Sequence, residues 1–149
     1  MPSNASHPTP PHPQHAPHAW EQPVYGTKTQ YAPEPDTSPL LDTKNAKRVQ
    51  EVLGTLLFYA RAVDSTLLTA IGTLATQQAT STNATMKGIT QLLDYCATHP
   101  DATIRFHASD MVLHIESDAS YLSAPKARSR AAGYHFLSSR PKEPTLPPQ

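Results

Sequence analysis

Apolar residues recur at helical spacing through the middle of this chain and switch to simple alternation further on. Val49, Leu53, Leu56 and Ala60 form one stripe, and Val52, Leu56, Tyr59 and Val63 form its neighbour, the i, i+3/i+4 rhythm of an amphipathic helix. That helix should begin near residues 42–45, where good N-cap side chains cluster. Asp64-Ser65 ends it and supplies a cap for a second helix, in which Leu67, Ile71, Leu74 and Gln78 keep the rhythm with Leu68 and Ala75 beside them. Residues 80–83 are a polar break with cap chemistry. In a third helix Met86, Ile89, Leu93 and Cys96 share a face, which Leu92 widens. His99-Pro100-Asp101 stops it, because proline disfavours helix at the residue before it. The period then becomes two. Ile104 and Phe106 alternate with Arg105 and His107, Ser109-Asp110 reads as a turn, and residues 112–115 and 134–137 read as two further strands. The pattern predicts an α+β chain: three helices, then a small sheet of three short strands.

Composition narrows where that fold can lie. Of sixteen prolines in 149 residues, ten fall in residues 1–39, none lies between Pro39 and Pro100, and four crowd the last nine positions. Residues 1–39 hold few aliphatic side chains and many Pro, His, Ser and Thr, too little apolar surface to offset the entropy of ordering. They are expected to form an extended, largely disordered arm, in which Trp20, Val24, Tyr25 and Tyr31 are the residues able to dock on a partner. A helical segment over 40–100, strands within 101–139 and a disordered Pro-rich tail at 140–149 complete the expected organisation. Twelve basic and twelve acidic residues cancel, so charge gives no global pull toward nucleic acid or anionic lipid. The single Cys96 excludes an internal disulfide and fits a reducing compartment. No apolar run approaches the roughly 20 residues of a membrane span. The Pro/His-rich start is not a secretory signal, so the expected location is intracellular, cytoplasmic or nuclear, with no membrane partner.

The candidate chemistry gathers in residues 112–137. An apolar alternating run leads into Ser117-Asp118-Ala119, and Glu116 lies two residues before Asp118, hence on the same strand face. Glu116 sharing a cation with Asp118 stands against the blander reading of a solvated side chain. Lys126, Arg128 and Arg130 form a basic cluster suited to a phosphate backbone or simply to a solvated loop. His7, His12, His15 and His18 carry imidazoles that suit Zn, Cu or Ni, but their spacing is irregular and proline-interrupted. His107 and His114 flank a turn, where a pair facing each other across a hairpin stands against the blander reading of two satisfied surface side chains. Cys96 sits on an apolar stripe without a His–Asp partner pattern and reads as a small core residue rather than a nucleophile. Asn4-Ala5-Ser6 and Asn83-Ala84-Thr85 match the glycosylation sequon by chance in a chain with no secretory signal.

From residue 21 to 139 the chain resembles part of the pol polyprotein of LTR retrotransposons, most like the copia type. Three ordered pieces carry the resemblance: Gln22-Pro23-Val24-Tyr25-Gly26 with Thr37-Ser38-Pro39-Leu40-Leu41; Val52-Leu53-Gly54-Thr55-Leu56-Leu57-Phe58-Tyr59-Ala60-Arg61 leading to Leu92-Leu93-Asp94-Tyr95; and Ser117-Asp118-Ala119-Ser120 followed by Arg128-Ser129-Arg130 and Gly133-Tyr134 with Phe136-Leu137. The resemblance implies the C-terminal connection segment of a reverse transcriptase and the start of an RNase H-like antiparallel sheet. It also implies contact with an RNA–DNA hybrid or with other parts of the polyprotein. In the family, carboxylates hold two Mg²⁺ ions that activate water and stabilise the leaving oxygen. Asp118 matches the first of those carboxylates, and the alternative is a plain strand-end residue in a turn.

Departures from the family pattern limit what the resemblance carries. A second acidic residue is expected just after the first, and Ser120 stands there instead. After Asp118 the sequence has only Glu143, within the Pro-rich tail. No paired-aspartate polymerase motif is present. The expectation is therefore a fragment that does not catalyse alone. A reading from a different class is a small helical protein-interaction module with disordered arms.

Overall fold

A computed structural model describes residues 7–19, 36–124 and 128–140. Among these residues three α-helices and one two-stranded antiparallel sheet make an α+β fold. These elements divide into two compact units: residues 7–19 and 36–104, which hold the helices, and residues 105–124 and 128–140, which hold the sheet.

Helix α1 runs Thr43–Ala62, with Asp42 at its N-cap accepting a hydrogen bond from the Asn45 backbone N–H at 2.8 Å. The Val63 N–H closes the other end on the Tyr59 carbonyl at 2.8 Å. Asp64 caps a short 3-10 turn, Ser65–Leu67, which leads directly into α2, Leu68–Ala75. Helix α3 runs Asn83–Thr98. These boundaries agree with those expected from the cap residues. One difference is the length of the second helix: Gln78 falls in a separate 3-10 turn, Gln78–Thr80, and is exposed. A glutamine there brings no apolar surface to hold another helical turn against the core.

Val49, Leu53 and Ala60 of α1, Leu67, then Ala70, Ile71 and Leu74 of α2, and Ile89 and Leu92 of α3 form one buried cluster. Burying each Leu or Ile contributes about 1.5–3 kcal/mol. Leu41, Val52, Leu56, Tyr59, Met86, Leu93 and Cys96 pack around the rim. The sequence put Leu92 on the flank of the third helix, yet it is fully buried while Leu93 is only partly so. The stripe that faces inward is Thr85, Ile89, Leu92, rotated slightly from the one that apolar residues alone define. Gly88 permits a close approach of α2 to α3, since a Cβ there would lie 2.7 Å from the Leu74 Cδ2.

The start of α3 is tied by residues 36–41. An α-helix leaves its first backbone N–H groups without intrahelical partners. Here Asn83 N–H donates to the Pro39 carbonyl at 2.9 Å, Ala84 N–H to Ser38 Oγ at 3.2 Å, and Thr85 N–H to Thr82 Oγ1 at 3.2 Å. The Thr82 hydroxyl in turn donates to the Asp36 carboxylate, and Leu41 N–H donates to the Ser81 carbonyl at 2.9 Å. Hydrogen bonds from the Ser38 hydroxyl, the Thr82 hydroxyl and the Ser38 N–H hold the Asp36 carboxyl below its ordinary pKa.

Cys96 lies at the rim of the core, where burial first and the nearby Asp64 charge second push its thiol up to about 11. The thiolate is the nucleophile, and almost none is present near neutral pH. Cys96 is accordingly expected to resist a disulfide reagent at pH 7.5 in the folded chain and to react fully in urea. Rapid labelling of the native protein would contradict its placement.

The second unit is a hairpin of β1, Val112–Ala124, and β2, Arg128–Ser138. The expected strand around Ile104 and Phe106 does not form: residues 101–111 carry no regular structure, and both side chains are exposed. Alternation alone does not make a strand; it needs a paired neighbour and a surface to cover, and neither edge of the two-stranded sheet receives this segment. Met111 enters β1 in the left-handed region, at φ 57°.

Candidate nucleic-acid interface

Both β1 and β2 run longer than the alternating pattern suggested, because small residues bridge their middles. Ala119 pairs with Ala131, Asp118 with Ala132, and Ser117 with Gly133. These pairs continue the ladder through the segment expected to be a turn. Asp118 is thus a mid-strand residue, and the strand-end reading is corrected. Directly paired residues share a face of an antiparallel sheet. One face therefore carries His114 opposite Phe136, Glu116 opposite Tyr134, Asp118 opposite Ala132 and Ser120 opposite Arg130. The other carries Leu113 opposite Leu137, Ile115 opposite His135 and Ala119 opposite Ala131.

The first face has order of its own. His114 stacks on Phe136 with ring centroids 5.1 Å apart and planes 12° from parallel, and Tyr134 leans on Phe136 at 5.2 Å. The His114 Nε2 meets the Ser139 carbonyl at 3.1 Å. Its partner across the hairpin is therefore Phe136, not His107, which lies in the irregular segment. Ser120 and Arg130 lock the register at the far end: the Arg130 N–H donates to Ser120 Oγ at 3.2 Å, and that hydroxyl returns toward the Arg130 carbonyl at 3.5 Å. A register irregularity follows between Ser120 and Ala124.

The exposed Asp118 carboxylate accepts a hydrogen bond from the Ala119 N–H at 2.8 Å through Oδ1. Glu116 shares its face two positions away. Among the described residues no group of three or more His, Cys, Asp and Glu side chains is arranged to hold a metal ion. Two exposed carboxylates are too few to hold a pair of Mg²⁺ ions, each of which favours near-octahedral oxygen coordination with several carboxylate ligands between them. Among the described residues the donor set thus does not fit the two-ion centre that the resemblance implies.

Of the expected basic residues, Arg130 sits on the Asp118 face. Arg128 is paired through its backbone with Ala124, two positions before Arg130 on β2. Lys126 lies outside the described residues, as do Trp20, Val24, Tyr25, Tyr31 and the Gln22-Pro23-Val24-Tyr25-Gly26 piece.

A second set of polar contacts lies in the helical unit and was not anticipated. Gln91, Asp94 and Thr98 follow helical spacing on α3, away from its buried stripe, and His99 is the C-cap that follows. Residues 7–19 lie along them. His7 pairs with the Asp94 carboxylate, the Gln14 N–H donates to Thr98 Oγ1 at 3.0 Å, His15 Nδ1 meets His99 Nε2 at 3.1 Å, and Gln91 Nε2 donates to the Ala16 carbonyl at 3.2 Å. The polar spacing on the helix was a readable signal, but nothing in it identified a proline-rich partner.

Comparison with known protein families, curated proteins and solved structures finds no match to this chain. No helix among the described residues is long and apolar enough to cross a membrane.

Proposed function

We propose that this chain is a segment of a copia-type LTR retrotransposon pol polyprotein. It would span the connection segment of the reverse transcriptase and the first strands of an RNase H-like sheet, contacting an RNA–DNA hybrid without cleaving it alone. The observation that carries this reading is the hairpin. The Ser117-Asp118-Ala119-Ser120 block and the Arg130 to Leu137 block, far apart in the motif, pair as adjacent antiparallel strands with Asp118 and Arg130 on one face. Arg130 supplies the cation for a phosphate, and Tyr134 an exposed ring on the same face. The hybrid is the nucleic acid, and other parts of the polyprotein are the protein partners.

The test is fluorescence anisotropy of the full chain with a labelled RNA–DNA hybrid over a salt series. Binding should weaken with salt, and Arg130→Ala should reduce the salt slope by about one unit, the effect of losing one phosphate contact. In Mg²⁺ the hybrid should remain intact. Cleavage that disappears in Asp118→Asn would overturn the non-catalytic part, and absence of hybrid binding would overturn the rest.

One observation favours the second reading, a small helical protein-interaction module. Leu57 and Phe58 of α1 are 42% and 79% exposed, beside Gly54 and Arg61. Under that reading the chain ignores the hybrid. Sedimentation would then show association with a purified candidate partner that Phe58→Ser abolishes.

A further inference from the structure

We propose that His15 and His99 form a binding site for a divalent transition-metal ion of the Zn²⁺, Ni²⁺, Cu²⁺ class, and that the bound ion fastens the N-terminal segment to α3. The two imidazoles come from positions 84 apart in the chain, yet His15 Nδ1 and His99 Nε2 lie 3.1 Å from one another. Imidazole nitrogens bind these metals at about 2.0–2.1 Å. Two nitrogens held 3.1 Å apart would then subtend an angle of about 98° at a shared ion. That value falls between the about 90° of square-planar Cu²⁺ or Ni²⁺ and the about 109° of tetrahedral Zn²⁺.

Both rings are exposed, so solvent offers an entry path and leaves each ring room to turn its lone pair toward a common point. In the metal-free pair one ring donates its N–H to the lone pair of the other. On metal binding that proton moves to the other nitrogen of its own ring, and both facing nitrogens present lone pairs. The Tyr95 ring, one turn back on α3, packs against His99 with ring centroids 4.8 Å apart. No third His, Cys, Asp or Glu completes a larger group among the described residues, so water fills the remaining positions.

The consequence is conformational. Residues 7–19 are otherwise held to α3 by the His7–Asp94 contact and by two hydrogen bonds at Gln14 and Ala16, each of modest net worth. A metal clip closing so long a loop constrains the chain far more than one hydrogen bond. It also stabilises the folded unit by mass action.

The experiment titrates the full chain with ZnCl₂ at neutral pH by calorimetry and follows hydrogen exchange at the Gln14 amide. One equivalent should bind, the Gln14 amide should exchange more slowly with zinc present, and His15→Gln or His99→Gln should each weaken binding at least about tenfold. His12→Gln should leave affinity unchanged. Both substituted side chains are exposed, so folding is retained in the variants. Three results overturn the proposal: no binding, undiminished affinity in His99→Gln, which would mean that the arm's histidines chelate by themselves, or zinc binding that leaves Gln14 exchange unaltered.

Discussion

Replacing Leu92 with alanine is expected to cost the helical unit about 2–5 kcal/mol, the range for removing a fully buried leucine. Leu92 is wholly shielded and belongs to the one apolar cluster shared by all three helices. The substitution loses the transfer free energy of the removed atoms and leaves a cavity that the helices close only in part. A whole domain is stable by about 5–15 kcal/mol, so this single change takes a large share. Urea unfolding followed by circular dichroism should show a lower midpoint with an unchanged slope. Leu57→Ala, on the exposed side of α1, is the control, expected to stay within about 0.5 kcal/mol of the parent. If the two variants unfolded alike, the orientation of the helices about the core would be wrong.

The second large effect is at Thr82. Thr82→Val keeps the shape but removes a hydroxyl that accepts from the Thr85 N–H and donates to the Asp36 carboxylate. Thr85 is itself almost fully buried, so its N–H loses its partner where water does not readily replace it. The expected cost is about 1–3 kcal/mol. Thr82→Ser, which retains the hydroxyl, should recover most of that loss. The acid range gives a separate readout. Asp36 has its folded-state pKa depressed, so its contribution is present above the ordinary carboxylate value near 3.8 and is lost as pH falls through the folded value. In Thr82→Val one of the hydrogen bonds responsible is gone. The Asp36 titration followed by NMR should move back toward the ordinary value, and the acid dependence of stability should flatten.

The helices were legible because one period and several caps agreed. Val49, Leu53 and Ala60 repeat at helical spacing, Asp42 and Thr82 stand at the starts, and α1 and α2 bury the sides their patterns mark. The strands were less legible because a period of two says nothing about which neighbour a strand has. Residues 112–115 and 134–137 were found, but the ladder between them rests on Ser117, Ala119, Ala131 and Gly133, which carry no apolar alternation. The Ile104 and Phe106 segment had the alternation and found no partner. Of the candidate site, Asp118 and Arg130 were identified by the motif, while their common face depends on a register that no local pattern reports.

Local pattern and composition are enough for the α+β class, three helices with their caps, the proline-free span that holds the helical core, and the shortage of carboxylates after Asp118. Each of these follows from spacing, composition or counting. Packing selects Leu92 over Leu93 for burial, brings Asp36 and Ser38 to the start of α3, sets His15 against His99, and puts Asp118 and Arg130 on one face. These are pairings between distant positions. A polar side chain in a proline-rich stretch has many possible partners, and only the packed arrangement of helix and strand selects one.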